Sequence, residues 1–269
     1  MGSTSHSPNE LIAAIGTPSC PPVFDVRRRA VYDDSAVVIP TARWRDAMTA
    51  QAWGLAPGSA AVVYCAHGHN VSQLAVALLR QIGVDARHLD GGIDGYVDAG
   101  GITMKKTAHV DPAAEVPSRW VTRERPKIDR IACPWLIRRF IDRDAAFHFV
   151  EPEWVADIAA ELGGLPYDID GVALSHRGEE CSFDTLIAEF GLDHAPLARL
   201  ARIVRGADTA RLDLEPEAAG LLAVSLGLSA IHDDDLVQLE AGMTVYDGLY
   251  GWCRHAAGET HNWPSRPAA

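Results

Sequence analysis

The chain has 269 residues, 48% of them hydrophobic, and carries a formal net charge of −12. That length suits two domains with real cores, and the acidic balance argues against general attraction to nucleic acid or anionic membranes. No apolar run reaches the roughly 18 residues of a membrane span, and the opening MGSTSHSPNE lacks both the basic flank of a secretion signal and the Ser or Thr of a myristoylation site at position 6.

A cytoplasmic location is therefore expected, with no membrane partner. Five widely spread cysteines (Cys20, Cys65, Cys133, Cys181, Cys253) include no CxxC pair. They read as free thiols rather than as a disulfide framework or a structural zinc site of the usual spacing.

In chain order, NELIAAIG reads as a short helix capped by Asn9 and stopped by Gly16. PPVFDV, SAVVIP and SAAVVY read as strands bounded by turn residues. Val71, Leu74, Ala75, Leu78 and Ile82 recur at helical spacing before Gly83, and ARHL then gives a strand, a DGG turn and a short helix at Ile93–Val97. Alternation of this kind predicts an α/β domain over residues 1–104, a mostly parallel sheet flanked by helices, with ligands at the carboxyl ends of the strands.

KKTAHVDPAAEVP, residues 105–117, is polar and proline-bearing and reads as a linker. Residues 118–269 read as a mainly α domain with a small β element. RWVT and FHFV are its short strands. Its helices are predicted over Asp129–Asp142, Phe183–Phe190, Pro196–Val204, Pro216–Leu226 and Asp234–Trp252.

The segment CAHGHNVS, Cys65–Ser72, lies between the strand SAAVVY and the next helix. N–H groups at a helix start point outward without partners, so a thiol there loses its proton more readily than a free one. Cys65 is thus a candidate nucleophile. Two other readings stand beside it: a metal ligand with His67 and His69, and a small buried residue.

FDVR, VVYCAHGHNVSQLAVALL and HLDGGIDGYVDAGG together resemble a rhodanese domain over residues 9–104. The resemblance implies sulfur transfer without a cofactor. Cys65 would carry a persulfide, and Ala66, His67, Gly68, His69, Asn70, Val71 and Ser72 would form an anion-binding loop. A small-molecule sulfur donor or oxyanion and a thiol acceptor would be its partners. Two features depart from the family: Asn70 and Val71 stand where an arginine is usual, and the loop is one residue longer.

In the second half, SRWVTRERPKIDRIACPWLIRRFIDRDAAFHFV, ALSHRGEECSFDTLIAEFGL, LARIVRGADT and VYDGLYGW resemble the ChrB-type chromate-resistance domain. Residues 119–143 hold eight Arg or Lys against three Asp or Glu. The helix within them is apolar on nearly every side, which predicts burial. Arg130, Arg138 and Arg139 then need partners. Arg123, Arg125 and Arg130 are accordingly expected in internal ion pairs or an oxyanion pocket, with a DNA-binding face as the remaining reading.

SHRGEECSFD concentrates imidazole, carboxylate and thiol. His176, Asp184 and Asp208, with Glu180 and Cys181 as further donors, form a candidate site for a divalent metal such as Zn, Fe or Mn. Capping and surface salt bridges are the plain alternative. HDDD, His232–Asp235, reads as a helix cap. The function expected of the whole is sulfur transfer and chromate resistance, with a chromate- or redox-responsive regulator that performs no turnover as the rival.

Overall fold

A computed structural model describes residues 3–259. Its first half runs β1 (Ser5–His6), α1 (Pro8–Ala14), β2 (Val23–Asp25), α2 (Arg29–Asp34), β3 (Val37–Val38), β4 (Arg43–Trp44), β5 (Ala60–Tyr64), α3 (Val71–Gln81), β6 (Asp85–Leu89), α4 (Gly92–Asp98) and β7 (Met104–Lys105). Five of these strands form a parallel sheet in the order β1-β6-β5-β2-β4. The alternating pattern thus folds as an α/β layer with β5 at its centre, and the loop after β5 emerges at the carboxyl end of the sheet.

Two local readings need correction. The first helix is capped by Ser7, whose hydroxyl accepts from the Glu10 N–H while the Glu10 carboxylate accepts from the Ser7 N–H. Pro8 holds the first helical position, where a missing N–H costs nothing, so Asn9 lies inside the helix. SAVVIP forms only the two-residue β3, which pairs antiparallel with β7 outside the main sheet. Pro40 supplies no N–H for a longer ladder, and the Ile39 N–H donates instead to the Tyr64 hydroxyl.

The second half runs β8 (Arg119–Arg123), α5 (Asp129–Leu136), β9 (Ala146–Val150), α6 (Val155–Leu162), β10 (Leu165–Pro166), α7 (Ser182–Phe190), α8 (Ala195–Asp208), α9 (Ala218–Ile231) and α10 (Asp235–Gly251). Its small sheet is parallel, in the order β10-β8-β9. The α5 helix is buried from Ile131 to Leu136, as its all-round apolar pattern requires. Pro134 interrupts it by withholding an N–H from the Arg130 carbonyl. The Tyr167 hydroxyl donates to that carbonyl instead, and beyond Leu136 the backbone widens into a π-type turn at Ile137–Ile141.

The halves share one core, which runs from Leu11, Ile39 and Tyr96 through Trp120, Trp135 and Phe140 to Tyr250. Gly16, at φ +80°, lies so close to Phe140 and Tyr250 that a Cβ there would overlap the Phe140 ring. Arg43 pairs with Asp142 at 2.9 Å, and the Thr41 N–H donates to the Phe140 carbonyl. Residues 105–117 follow the first half closely, with Val110 buried and the Pro112 carbonyl accepting from the Trp44 N–H. Among the described residues, no helix is long and apolar enough to cross a membrane.

Candidate functional site

Cys65 follows β5 directly and is 8% exposed. Its Sγ lies 3.3 Å from the Ser72 Oγ and donates to the His69 carbonyl at 3.2 Å. The Cys65 and Ala66 carbonyls accept from the N–H groups of Ile93 and Asp94 at the start of α4. With its carbonyls tied to α4 in this way, the loop brings the N–H groups of His67, His69 and Ser72 to the sulfur. Asn70, at φ +45°, ends the loop and starts α3.

Burial alone would raise the Cys65 pKa. The Ser72 hydroxyl and the N–H groups of His67, Ser72 and His69 outweigh it and hold the thiol below its ordinary value. Burial pushes the other four cysteines up, Cys20 and Cys253 to about 11 and Cys133 and Cys181 also upward. Alkylation at pH 7 should therefore label Cys65 first, although Cys20 and Cys253 are more exposed. The rate at Cys65 should reach half its plateau at a pH below that of a free thiol, read by mass spectrometry of peptides across a pH series. Preferential labelling of Cys20 would contradict the cradle.

The glycines after β6 fix this loop. Gly92, at φ +61°, sits against the Cys65 and Ala66 carbonyls, where any Cβ would overlap both oxygens. Gly68, at φ +75°, packs on the Leu89 carbonyl, which a Cβ would meet at 2.6 Å. Gly92→Ala should accordingly cost about 2–3 kcal/mol in chemical denaturation and remove the selective Cys65 labelling.

His67 bonds Asp94 at 2.8 Å on the surface. Ala66 and Val71 are half-buried, His69 and Asn70 are exposed, and Ser72 is fully buried. Cys65, His67 and His69 do not converge on a common point within coordinating reach, whereas another set elsewhere does.

That set surrounds His176. Its Nε2 lies 3.2 Å from Asp129, 3.3 Å from Asp168 and 3.4 Å from Asp208. Four elements deliver these groups: the start of α5, the loop after β10, the loop before α7 and the end of α8. Asp129 and Asp168 are buried, Asp208 nearly so, and His176 stands half-exposed at the mouth. Asp129, His176 and Asp208 each offer a ligand atom within 4.8 Å of the other two. Donors about 2.1 Å from a four-coordinate ion stand roughly 3.4 Å apart, so the observed spacings fit a divalent cation.

Burial raises the Asp129 and Asp208 carboxyls. The Asp129 hydrogen bond lifts His176 to about 9. The cluster thus holds extra positive charge by preference.

Asp184 does not join His176. It sits at the third position of α7, accepts from the Cys181 N–H and thiol, and pairs with Arg205 at 3.2 Å. Cys181 is the buried cap of that helix, and Glu180 is exposed and closes a tight turn with Arg177. Asp129 and Asp168 take the places that sequence spacing assigns to these residues.

Arg123 and Arg130 both reach Asp168, at 3.0 and 3.4 Å. Arg125 donates to the Ser229 and His232 carbonyls at the end of α9. Arg138 pairs with Glu240, and Arg139 with Asp247. The basic segment therefore meets internal partners. Asp234 caps α10, as HDDD implies.

Residues 7–99 match the Rhodanese-like domain, and residues 120–253 match ChrB, C-terminal domain. The chain joins a Rhodanese-like domain to a ChrB C-terminal domain. Protein ChrB of Cupriavidus metallidurans is 38% identical over 143 residues, 52% of this chain and 42% of that relative. The chain thus spans less than half the length of this curated relative.

Similar solved structures include a rhodanese-related protein of Thermoplasma volcanium, with 26% identity and a TM-score of 0.31 over 37% of this chain and 95% of that one. A rhodanese homologue of Thermus thermophilus gives 26% identity and a TM-score of 0.28 over 34% and 96%. Cys65 and its cradle lie in the Rhodanese-like half, and the His176 cluster lies in the ChrB-type half.

Proposed function

We propose that the Rhodanese-like half is a sulfurtransferase whose carrier is Cys65, and that the ChrB-type half binds a divalent cation at Asp129, His176 and Asp208. The observation that carries the first reading is the Cys65 sulfur beneath a loop that turns its N–H groups inward, beside the Ser72 hydroxyl. Such a cradle suits an anion at the sulfur.

The Cys65 thiolate attacks the outer sulfur of thiosulfate or a polysulfide. The new S–S bond forms as the donor's own S–S bond breaks, and sulfite or the shortened polysulfide leaves with the electron pair. The resulting persulfide rests among the loop N–H groups. An acceptor thiolate then attacks the outer sulfur, and Cys65 leaves as thiolate. With a dithiol acceptor, its second thiol displaces sulfide and closes a disulfide. His67, held by Asp94, is the imidazole beside the loop entrance in place of an arginine.

The cation reading rests on three donors, Asp129, His176 and Asp208, brought together from three elements, with Asp168 beside them and held by Arg123 and Arg130. Sulfide release from thiosulfate and a dithiol tests the first reading. Turnover is expected in the full chain. Its absence with every sulfane donor would leave the Rhodanese-like half as a binding module.

A further inference from the structure

A polar cavity lies where the two halves meet, lined by Thr17, Pro18, Cys20 and Thr41 from the first and by Arg138, Arg139 and Arg143 from the second. Its volume of about 60 Å³ holds about four waters. No carboxylate lines it. Glu240, Asp247 and Asp144, which pair with the three arginines, stand outside the wall.

Arg138 and Arg139 each keep one guanidinium nitrogen, and Arg143 two, without a hydrogen-bond partner among the described residues. Arg138 uses Nε and Nη1, Arg139 uses Nε and Nη2, and Arg143 uses Nη1 on the Cys20 carbonyl. Arg138 is also stacked on Phe147, which fixes its plane. Three guanidinium groups thus line one polar hollow whose own wall carries no carboxylate, a lining that suits an anion.

Thr41 is the second observation. It is 6% exposed, and its hydroxyl makes no hydrogen bond within the described residues. Its φ of +61° is a rare conformation for a β-branched residue. The Thr41 N–H, tied to the Phe140 carbonyl across the junction, holds it there. Strain of this kind collects where a side chain must be aimed.

We propose that this cavity binds a small tetrahedral oxyanion of the sulfate or phosphate class, gripped jointly by Arg138, Arg139, Arg143 and the Thr41 hydroxyl. The anion would tie the Rhodanese-like half to the ChrB-type half. This site is separate from Cys65 and from the His176 cluster, and does not depend on either.

The test is calorimetric titration of the full chain with sulfate, and separately with phosphate, at ionic strength held constant with chloride. Saturable one-to-one binding of either ion is expected, weakened at least tenfold in Arg143→Gln and unchanged in Arg119→Gln. Because Arg143→Gln could disturb the junction, a second measurement uses the wild-type chain. Saturating anion should slow alkylation of Cys20 severalfold and leave Cys253 unaffected. No heat beyond the chloride control, equal affinity in Arg143→Gln, or an unprotected Cys20 would overturn the proposal.

Discussion

Cys65→Ser should lose sulfur transfer from thiosulfate to a dithiol by about three orders of magnitude or more, the scale on which removal of a covalent nucleophile acts. Serine keeps the shape of the loop but offers an alcohol that is not ionised near neutral pH, so no persulfide forms. Circular dichroism and thermal melting should leave the variant close to wild type. Ser72→Ala should act on the same step more gently. Its hydroxyl lies 3.3 Å from the Cys65 sulfur and lowers its pKa. One hydrogen bond to a charged group contributes about 1.5–3 kcal/mol, so the rate should fall by roughly ten- to a hundredfold near pH 7. Part of that loss should return as pH rises, because the thiolate fraction recovers. A pH-independent loss would mean that Ser72 holds the loop rather than the charge.

Asp129→Asn should abolish divalent cation binding by the ChrB-type half, a loss of at least about a hundredfold, since outer-sphere changes alone cost ten- to a hundredfold. His176→Ala should do the same, read as bound metal per chain after equilibration with Zn²⁺ or Mn²⁺ and gel filtration. Asp184→Asn is the informative control. It should leave metal affinity within about threefold while lowering stability by about 1 kcal/mol, because Asp184 caps α7 and meets Arg205. Metal-free Asp129→Asn should be no less stable than wild type, since burial already disfavours a charged carboxylate there. Metal retained by Asp129→Asn but lost by Asp184→Asn would reverse the assignment.

The first site was largely legible in the sequence because it is local. A strand, a cysteine, a glycine-bearing loop and a helix lie within about twenty residues, and period and turn chemistry place each of them. Gly92 was legible only as part of a turn. Its contact with the Cys65 carbonyl depends on how β6 and α4 return beside β5.

The second site was half legible. His176 and Asp208 stood out as donors beside helix ends, but Asp129 and Asp168 lie 47 and 8 residues before His176 in other elements. Asp129 did carry a signal: an acid beginning a helix that is otherwise apolar on nearly all sides must be buried, and a buried acid needs a partner. Asp184 misled for a related reason, because an acid three residues after a cap fits a metal set and a capping role equally well. Thr41 carried no sequence signal, as its strain arises from the contact with Phe140 across the junction.

The most direct measurement is the intact mass of the purified chain and of Cys65→Ser after brief exposure to thiosulfate or polysulfide and removal of excess donor. The wild type should gain the mass of one sulfur, lost again on adding a thiol, and Cys65→Ser should gain none. An unmodified wild type, or equal sulfur uptake by Cys65→Ser, would contradict Cys65 as the carrier.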